Sequence, residues 1–537
     1  MKLVNVAEMK AIEAEANLKG VSYESMMERA GNGIAEVIKR YFPLIADQKV
    51  VALVGSGNNG GDAIIALLEL HKAGCQGFAY LAHKREKDGL ISRLQTADIE
   101  MKVFEDDPDK KDLFTRLQEA DLVIDGLLGT GFRLPVRPDF AEIIKAVNQE
   151  HFHYKVISVD CPSGINCDNG EVAENCVTAD ITVCLQAIKV GLLTFPAYQH
   201  VGILEVVDLQ LPSGLEAEIA VKREVATAEC VARLLPKRPL QAHKGTFGTA
   251  MVIAGSINYT GAAHLAGHAA YRIGAGLVQM AIPGPIYASL AGQFPEATWL
   301  LLPHEMGVIQ ANAAKLVLQN LAKITAILVG PGWGQEETTR EFLEKLLSGK
   351  LQSERKRNGI GFVMMDADQE FPTISLLPPM VIDADGLKLL SKLNNWEQLL
   401  PKDAVLTPHP GEMSVLTGLP IAEIQSNRLE IALKFAKEWG HVLVLKGALT
   451  VIAAADGRLC INPIANPALA RAGTGDVLAG IITGMLAQGI PPYEAAVAGV
   501  WIHAQAGIEA SEKVGHPAAV LAGDVVDAIA RVLARLG

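Results

Sequence analysis

Residues 466–480 read NPALARAGTGDVLAG, a small-residue loop that ends in an acid and runs into an apolar helix expected over 477–486. Gly473 and Gly475 let backbone N–H groups face an anion with no Cβ in the way. A helix N-terminus adds partial positive charge at the same point. Asp476 repels phosphate, so anion binding alone does not explain it. An aspartate there suits a hydroxyl lying beside the phosphate, whose proton it takes or which it orients. The structural alternative is a helix start with an aspartate in its first turn.

Other glycine-rich turns carry further candidates. An apolar run over 50–54 leads into GSGNNGGD, residues 55–62. Such a strand-to-helix turn at the carboxyl edge of a parallel sheet suits a phosphate or a dinucleotide, although it departs from GxGxxG. Asn58, Asn59 and Asp62 add oxygen donors, a hard set suited to an alkali or alkaline-earth cation. A tight turn capped by Asp62 is the alternative. Two more apolar runs end in acids, VIDGLLGTGFR at 123–133 and SVDCPSG at 158–164. In a doubly wound sheet these strand ends converge on one crevice, so Asp62, Asp125 and Asp160 are expected to share a site.

The second half repeats the theme. HKGTFG (243–248), AGS (254–256), YTGAAH (259–264), GPGWG (330–334), TPHPGE (407–412) and KGALT (446–450) flank or follow apolar runs. Lys446, at a strand end beside glycine, suits a phosphate; a surface lysine covering apolar area with its stem is the alternative. For His409, held between two prolines, structural and functional roles both remain open.

The elements that must position these residues alternate strand and helix. Residues 1–45 read as helices, with Met26, Ala30, Ile34, Val37 and Ile38 on one face. Strands are expected at 50–54, 78–81, 122–125, 156–160, 181–185 and 203–207. After a boundary within 208–225, where periodicity is lost, strands are expected at 250–254, 277–282, 326–329, 381–383, 404–407 and 442–446. A hairpin is expected from 450–453 and 459–461. Alternation at this spacing predicts α/β units with mainly parallel sheets. Residues 349–380 look like an irregular insertion with no assigned role.

At 537 residues the chain is long for one core, and its 50% hydrophobic content suits buried parallel sheets. A net charge of −12 argues against a nucleic-acid partner. The seven cysteines form no CxxC pair and read as free thiols of a reducing compartment. No uncharged apolar run approaches the ~20 residues of a membrane span, and no signal-peptide core is seen. A cytoplasmic enzyme without a membrane or nucleic-acid partner is expected.

The first half resembles the NAD(P)H-hydrate epimerase family, also called the YjeF N-terminal domain, over roughly residues 1–215. The resemblance rests on GNNGGD, DGLLGTGFR and VDCPSG. It implies a Rossmann-like parallel-sheet fold, a bound potassium ion, and hydrated NADH or NADPH (NADHX, NADPHX) as substrate. It places the substrate on Asn58, Asn59, Gly60, Gly61 and Asp62, and on Gly129, Thr130, Gly131, Phe132, Arg133, Leu134 and Pro135. It implies potassium at Asn59, Asp125 and Ser163, and acid–base epimerisation at Asp160. Ala63, where glycine is common, and Cys161, where an aliphatic residue is common, depart from the pattern.

Residues 225–537, apart from the insertion, resemble the ADP-dependent NAD(P)H-hydrate dehydratases, a branch of the ribokinase-like fold. TPHPGE, KGALT and NPALARAGTGD carry this resemblance. It implies ADP in the bacterial branch, ATP in the eukaryotic one, and magnesium. The nucleotide positions are Lys446, Gly447, Ala448, Leu449, Thr450, Asn466, Pro467, Ala468, Leu469, Ala470, Arg471, Ala472, Gly473, Thr474 and Gly475. The hydrated substrate is expected at Ala262, Gly332, His409 and Asp476, with Asp476 catalytic. Two domains are thus expected, each a three-layer α/β/α sandwich, in a bifunctional repair enzyme that forms a homo-oligomer. The alternative is a small-alcohol kinase in the second half joined to a non-catalytic nucleotide-binding module.

Overall fold

A computed structural model describes residues 1–86, 88–149, 153–349 and 377–537. It divides into two compact units, Met1–Arg223 and Glu224–Gly537. Most of the insertion expected at 349–380 lies outside the described residues.

In the first unit seven parallel strands form one sheet. Their order is Glu100–Val103, Gln76–Leu81, Lys49–Val54, Leu122–Gly126, Lys155–Val159, Ile181–Leu185 and Ile203–Val207. The chain reverses its direction of winding between Lys49–Val54 and Leu122–Gly126, which opens a crevice at their carboxyl ends. Alternate residues of these strands face opposite layers. Val50, Ala52 and Val54 pack with Ile34, Ile38, Ile64 and Leu67, from helices Tyr23–Tyr41 and Asn58–Lys72. Val51 and Leu53 pack with Leu113, Leu117, Phe140 and Ile143, from helices Lys111–Glu119 and Pro138–Val147. Burial on both faces explains why the central strands read as continuous apolar runs.

The strand expected over 156–160 stops at Val159, because Asp160 adopts a left-handed conformation at φ +64°. That conformation breaks the extended run and costs of order 1 kcal/mol for a residue with a Cβ. The edge strand Glu100–Val103 was not expected; its residues are only partly buried and alternate with charge.

The second unit holds a ten-stranded sheet. Its order is Arg223–Val225, Leu459–Ile461, Val451–Ala453, Val442–Leu445, Val405–Leu406, Met380–Ile382, Ala326–Val329, Thr249–Ile253, Leu277–Pro283 and Thr298–Leu302. From Val442–Leu445 to Thr298–Leu302 all pairings are parallel, so the expected loops gather at one edge. Helix Thr474–Ala487 is buried almost throughout and packs Gly480 and Gly484 against Ala266 and Ala270 of helix Thr260–Arg272. It starts three residues earlier than expected, so Asp476 lies inside its first turn. Among the described residues, no helix is long and apolar enough to cross a membrane.

Candidate active sites

In the first unit the left-handed turn at Asp160 aims its carboxylate along the sheet edge, where Leu185 N–H donates to Oδ1 at 2.9 Å. The Lys189 ammonium, 1% exposed, pairs with the same oxygen and donates to the Leu185 and Ala187 carbonyls at 3.2 and 3.1 Å. Burial alone would lower the Lys189 ammonium. The Asp160 charge and hydrogen bond, together with the neighbouring Cys184 and Cys167, outweigh this and hold it above its usual range. Asp62 is also buried and has no hydrogen-bond partner among the described residues. Burial first, and then the Asp160 charge, raise its carboxyl well above the carboxylate range. Burial likewise raises the carboxyl of Glu13, from helix Val6–Leu18, which faces Lys189 and Asp160. The crevice therefore holds one paired carboxylate, one buried ammonium and two carboxyls biased towards their neutral form.

Asn59, Asp125 and Ser163 meet in one network. Asn59 Nδ2 donates to the Val159 carbonyl at 2.7 Å and the Leu128 carbonyl at 3.4 Å, and Leu128 N–H donates to Ser163 Oγ at 2.9 Å. Ser163 Oγ donates to Asp125 Oδ1 at 2.6 Å, and Ser163 N–H to Oδ2 at 2.8 Å. Asp125 is fully buried with no basic partner among the described ion pairs, and burial raises its carboxyl despite the donors around it. A Cβ at Gly129 would strike the Asn59 side chain, so glycine permits this loop to close over the helix start. Ala63, the departure noted above, is fully buried against Gly126. Beyond Gly129, residues 130–135 form an irregular loop in which Gly131, Arg133 and Pro135 are exposed. Among the described residues, no hydrogen bond ties that loop to Asp160.

In the second unit Lys446 is held rather than free at the surface. Its ammonium donates to Asp383 Oδ1 at 2.6 Å and lies 3.6 Å from Glu412 Oε2. Thr407 Oγ1 donates to the same Asp383 oxygen at 2.7 Å, while Asp383 Oδ2 is buried with no hydrogen-bond partner among the described residues. A Cβ on Gly475 would sit 3.5 Å from Lys446 Nζ and 4.0 Å from that unpaired oxygen, so the glycine loop borders both groups. Asp476, one residue on, is partly exposed and has no hydrogen-bond partner among the described residues. Burial, then the Asp383 charge, push its carboxyl up to about 7, and Lys446 only partly offsets them. Burial alone would lower the Lys446 ammonium, but Asp383 and Glu412 hold it above its usual range.

His409 is the N-cap of helix Pro410–Thr417. Its Nδ1 accepts from Gly411 N–H at 3.0 Å, and its Nε2 lies 3.2 Å from Glu412 Oε1. Burial alone would raise the Glu412 carboxyl; His409 and Lys446 outweigh it and bring it to about 2. Ala262 and Gly332 are brought together, a Cβ on Gly332 lying 2.8 Å from that of Ala262. Asn466 caps the turn Pro467–Leu469, and Thr474 Oγ1 donates to the Leu469 and Arg471 carbonyls, each at 2.8 Å. Arg428 braces the 446–450 turn, donating to the Leu445 and Lys446 carbonyls at 2.8 and 3.2 Å. Pro467, Ala470, Arg471 and Ala472 instead line a cavity of about 540 Å³ with His516, Pro517 and Ala518.

Two family models match the chain. Residues 250–531 match NAD(P)H-hydrate dehydratase, and residues 23–191 match the YjeF-related protein N-terminus. The chain is 35% identical over 549 residues to the bifunctional NAD(P)H-hydrate repair enzyme of Moorella thermoacetica, spanning 100% of this chain and 97% of that one. It is 33% identical to that of Thermofilum pendens, over 96% of this chain and 93% of that one. The chain belongs to the bifunctional NAD(P)H-hydrate repair enzymes. It thus joins an epimerase of hydrated nicotinamide nucleotides to their dehydratase, and the small-alcohol kinase reading is not favoured. Among solved structures, a Bacillus subtilis ADP/ATP-dependent NAD(P)H-hydrate dehydratase co-crystallised with ATP/Mg2+ is 31% identical, covering 58% of this chain and 99% of that one, at a TM-score of 0.47.

Several residues around the repair enzyme's two crevices carried no signal in the sequence. Lys189 lies 29 residues from Asp160, and Asp383 lies 63 residues from Lys446. Arg85 donates to the Gly55 carbonyl at 2.6 Å and the Gly57 carbonyl at 3.1 Å, bracing the first glycine loop. Only Glu412 had a local cue, since it ends the TPHPGE motif.

Proposed function

We propose that the repair reactions run through Asp160 with Lys189 in the first unit and through Asp476 in the second, with ADP as the phosphoryl donor. In the hydrated nucleotide a ring carbon carries a hydroxyl beside the ring nitrogen. Asp160 takes the hydroxyl proton and passes it to the ring nitrogen as the carbon–nitrogen bond opens to an aldehyde and an enamine, and the reverse steps on the other face invert the centre. Lys189 pairs with Asp160 and holds its carboxylate in position for that proton transfer. Residues 58–62 and 129–135 hold the substrate around it.

Potassium suits the Asn59, Asp125 and Ser163 network on its donor chemistry: a fully buried carboxylate without a basic partner, surrounded by hydroxyl and carbonyl oxygens. A cation there supplies charge compensation for Asp125. Magnesium suits the second site on an orphaned atom: the unpaired Asp383 Oδ2, among more carboxylates than Lys446 can balance. A divalent ion there supplies neutralisation of phosphate charge, with Asp383 as its protein donor.

In the second unit the hydroxyl faces Asp476 and the ADP phosphates face the 473–475 amides and Lys446. Asp476 takes the hydroxyl proton, the oxygen attacks the terminal phosphorus, and AMP departs. The ring nitrogen lone pair then expels phosphate, and loss of the adjacent ring proton restores NAD(P)H. Residues 446–450 and 466–475 bind the nucleotide; Ala262, Gly332 and His409 bind the substrate. We place the enzyme in the cytoplasm, in keeping with its seven free cysteines, and as a homo-oligomer, as the family resemblance implies.

The observation that carries this reading is the unpaired Asp476 carboxyl beside Gly475, Lys446 and Asp383, with its proton affinity raised to about 7. The test is the ADP-dependent return of reduced-nicotinamide absorbance from hydrated NADH. The wild-type chain is expected to restore it and Asp476→Asn to lose at least ~10²-fold in rate. Full activity in that variant would overturn the role of Asp476.

A further inference from the structure

Tyr259 occupies a position that folding does not explain. It is the N-cap of helix Thr260–Arg272, where Ser, Thr, Asp or Asn would satisfy a backbone donor, yet it makes no side-chain cap. Its ring is 55% exposed and its hydroxyl has no partner among the described residues. Exposed Ile257, two residues earlier, anchors a small hairpin by donating its N–H to the Gly307 carbonyl at 3.0 Å, beside the exposed Met306. A Cβ on Gly332 would lie 2.9 Å from the Tyr259 Cβ and 2.8 Å from that of Ala262. Tyr259 therefore borders the loop that our proposed function gives to the hydrated nucleotide.

The sheet orders the groups along that edge. Lys446 follows a strand two places from Met380–Ile382, and Tyr259 follows one two places away on the other side. Each step is about 4.8 Å, so the strand that leads to Tyr259 ends about 10 Å from the strand that leads to Asp383, on the side away from Lys446. ADP fills the Lys446 side, so the rest of a dinucleotide held at Asp476 leaves towards Tyr259. The hydrated nicotinamide ring has lost its planarity, and adenine is the only aromatic face left in that substrate. We infer that Tyr259, flanked by Ile257, is a stacking platform for the adenine of hydrated NAD(P)H, so that the dehydratase recognises the dinucleotide and not its reactive half alone.

This inference rests on the proposed dehydratase site, and a truncated substrate separates the two. The test compares hydrated NADH with hydrated reduced nicotinamide mononucleotide, which lacks adenosine, on the full-length chain. Tyr259→Ala is expected to raise KM for hydrated NADH about tenfold, with kcat, KM for ADP and all mononucleotide parameters unchanged. Tyr259→Phe is expected to stay within about twofold of wild type. Calorimetric binding of hydrated NADH reads the same tenfold loss whether or not turnover occurs, so absent turnover would count against the reaction and not against the platform. An unchanged affinity in Tyr259→Ala, an equal loss with the mononucleotide, a raised KM for ADP, or a loss of oligomeric mass would overturn it.

Discussion

Asp476 and Lys189 show how single groups are tuned by what surrounds them. The Asp476 carboxyl binds its proton more tightly in the folded chain, at about 7 against an ordinary 3.8. Stability from this proton uptake is fully present below the unfolded value and is lost as pH rises through about 7. Without nucleotide or magnesium, Asp476→Asn is therefore expected to be more stable than wild type at pH 8, by of order 2–4 kcal/mol, while abolishing dehydration. The advantage should vanish below about pH 4, as urea midpoints across pH would read. Lys189 behaves oppositely, since its removal leaves a buried carboxylate unpaired. Lys189→Met is expected to cost about 3 kcal/mol and at least ~10²-fold in epimerisation. Adding Asp160→Asn should recover stability without activity, which separates charge balance from chemistry.

At the scale of elements, the start of helix Thr474–Ala487 is set by packing further along it. Gly480 meets the backbone of Ala266, and a Cβ there would lie 2.9 Å from the Ala266 carbonyl carbon. Gly480→Val should push the helix off Thr260–Arg272, costing about 2 kcal/mol and moving Asp476 from its place. Dehydration is expected to fall while epimerisation, on another sheet, holds. Central strands such as 181–185 and 326–329 were legible because burial on both faces leaves a pure apolar run. The edge strand Glu100–Val103 was not, because it is only partly buried and alternates with charge, so it lacks that pattern. The end of the strand before Asp160 was misplaced because a left-handed turn at a single aspartate leaves no trace in periodicity.

For the whole molecule, two crevices on two sheets divide the work on a mixture of epimers. Asp160→Asn is expected to leave the dehydratase intact, so that repair of an epimeric mixture stops when the epimer that the dehydratase accepts is consumed. Asp476→Asn should still interconvert the epimers while yielding no reduced nicotinamide. Chiral separation of residual substrate, followed in time with absorbance, checks both outcomes.

Sequence alone determined the alternating strands and helices, the glycine turns at their ends and the acids beside them, because these follow from backbone sterics and local burial. It also carried the family, through GNNGGD, TPHPGE and NPALARAGTGD. Only the tertiary structure decided which charges face one another. Lys189 with Asp160, and Lys446 with Asp383, are brought together by parallel strands that return to one edge. Electrostatic tuning depends on distance and burial in space, and neither is encoded in the spacing of residues along the chain.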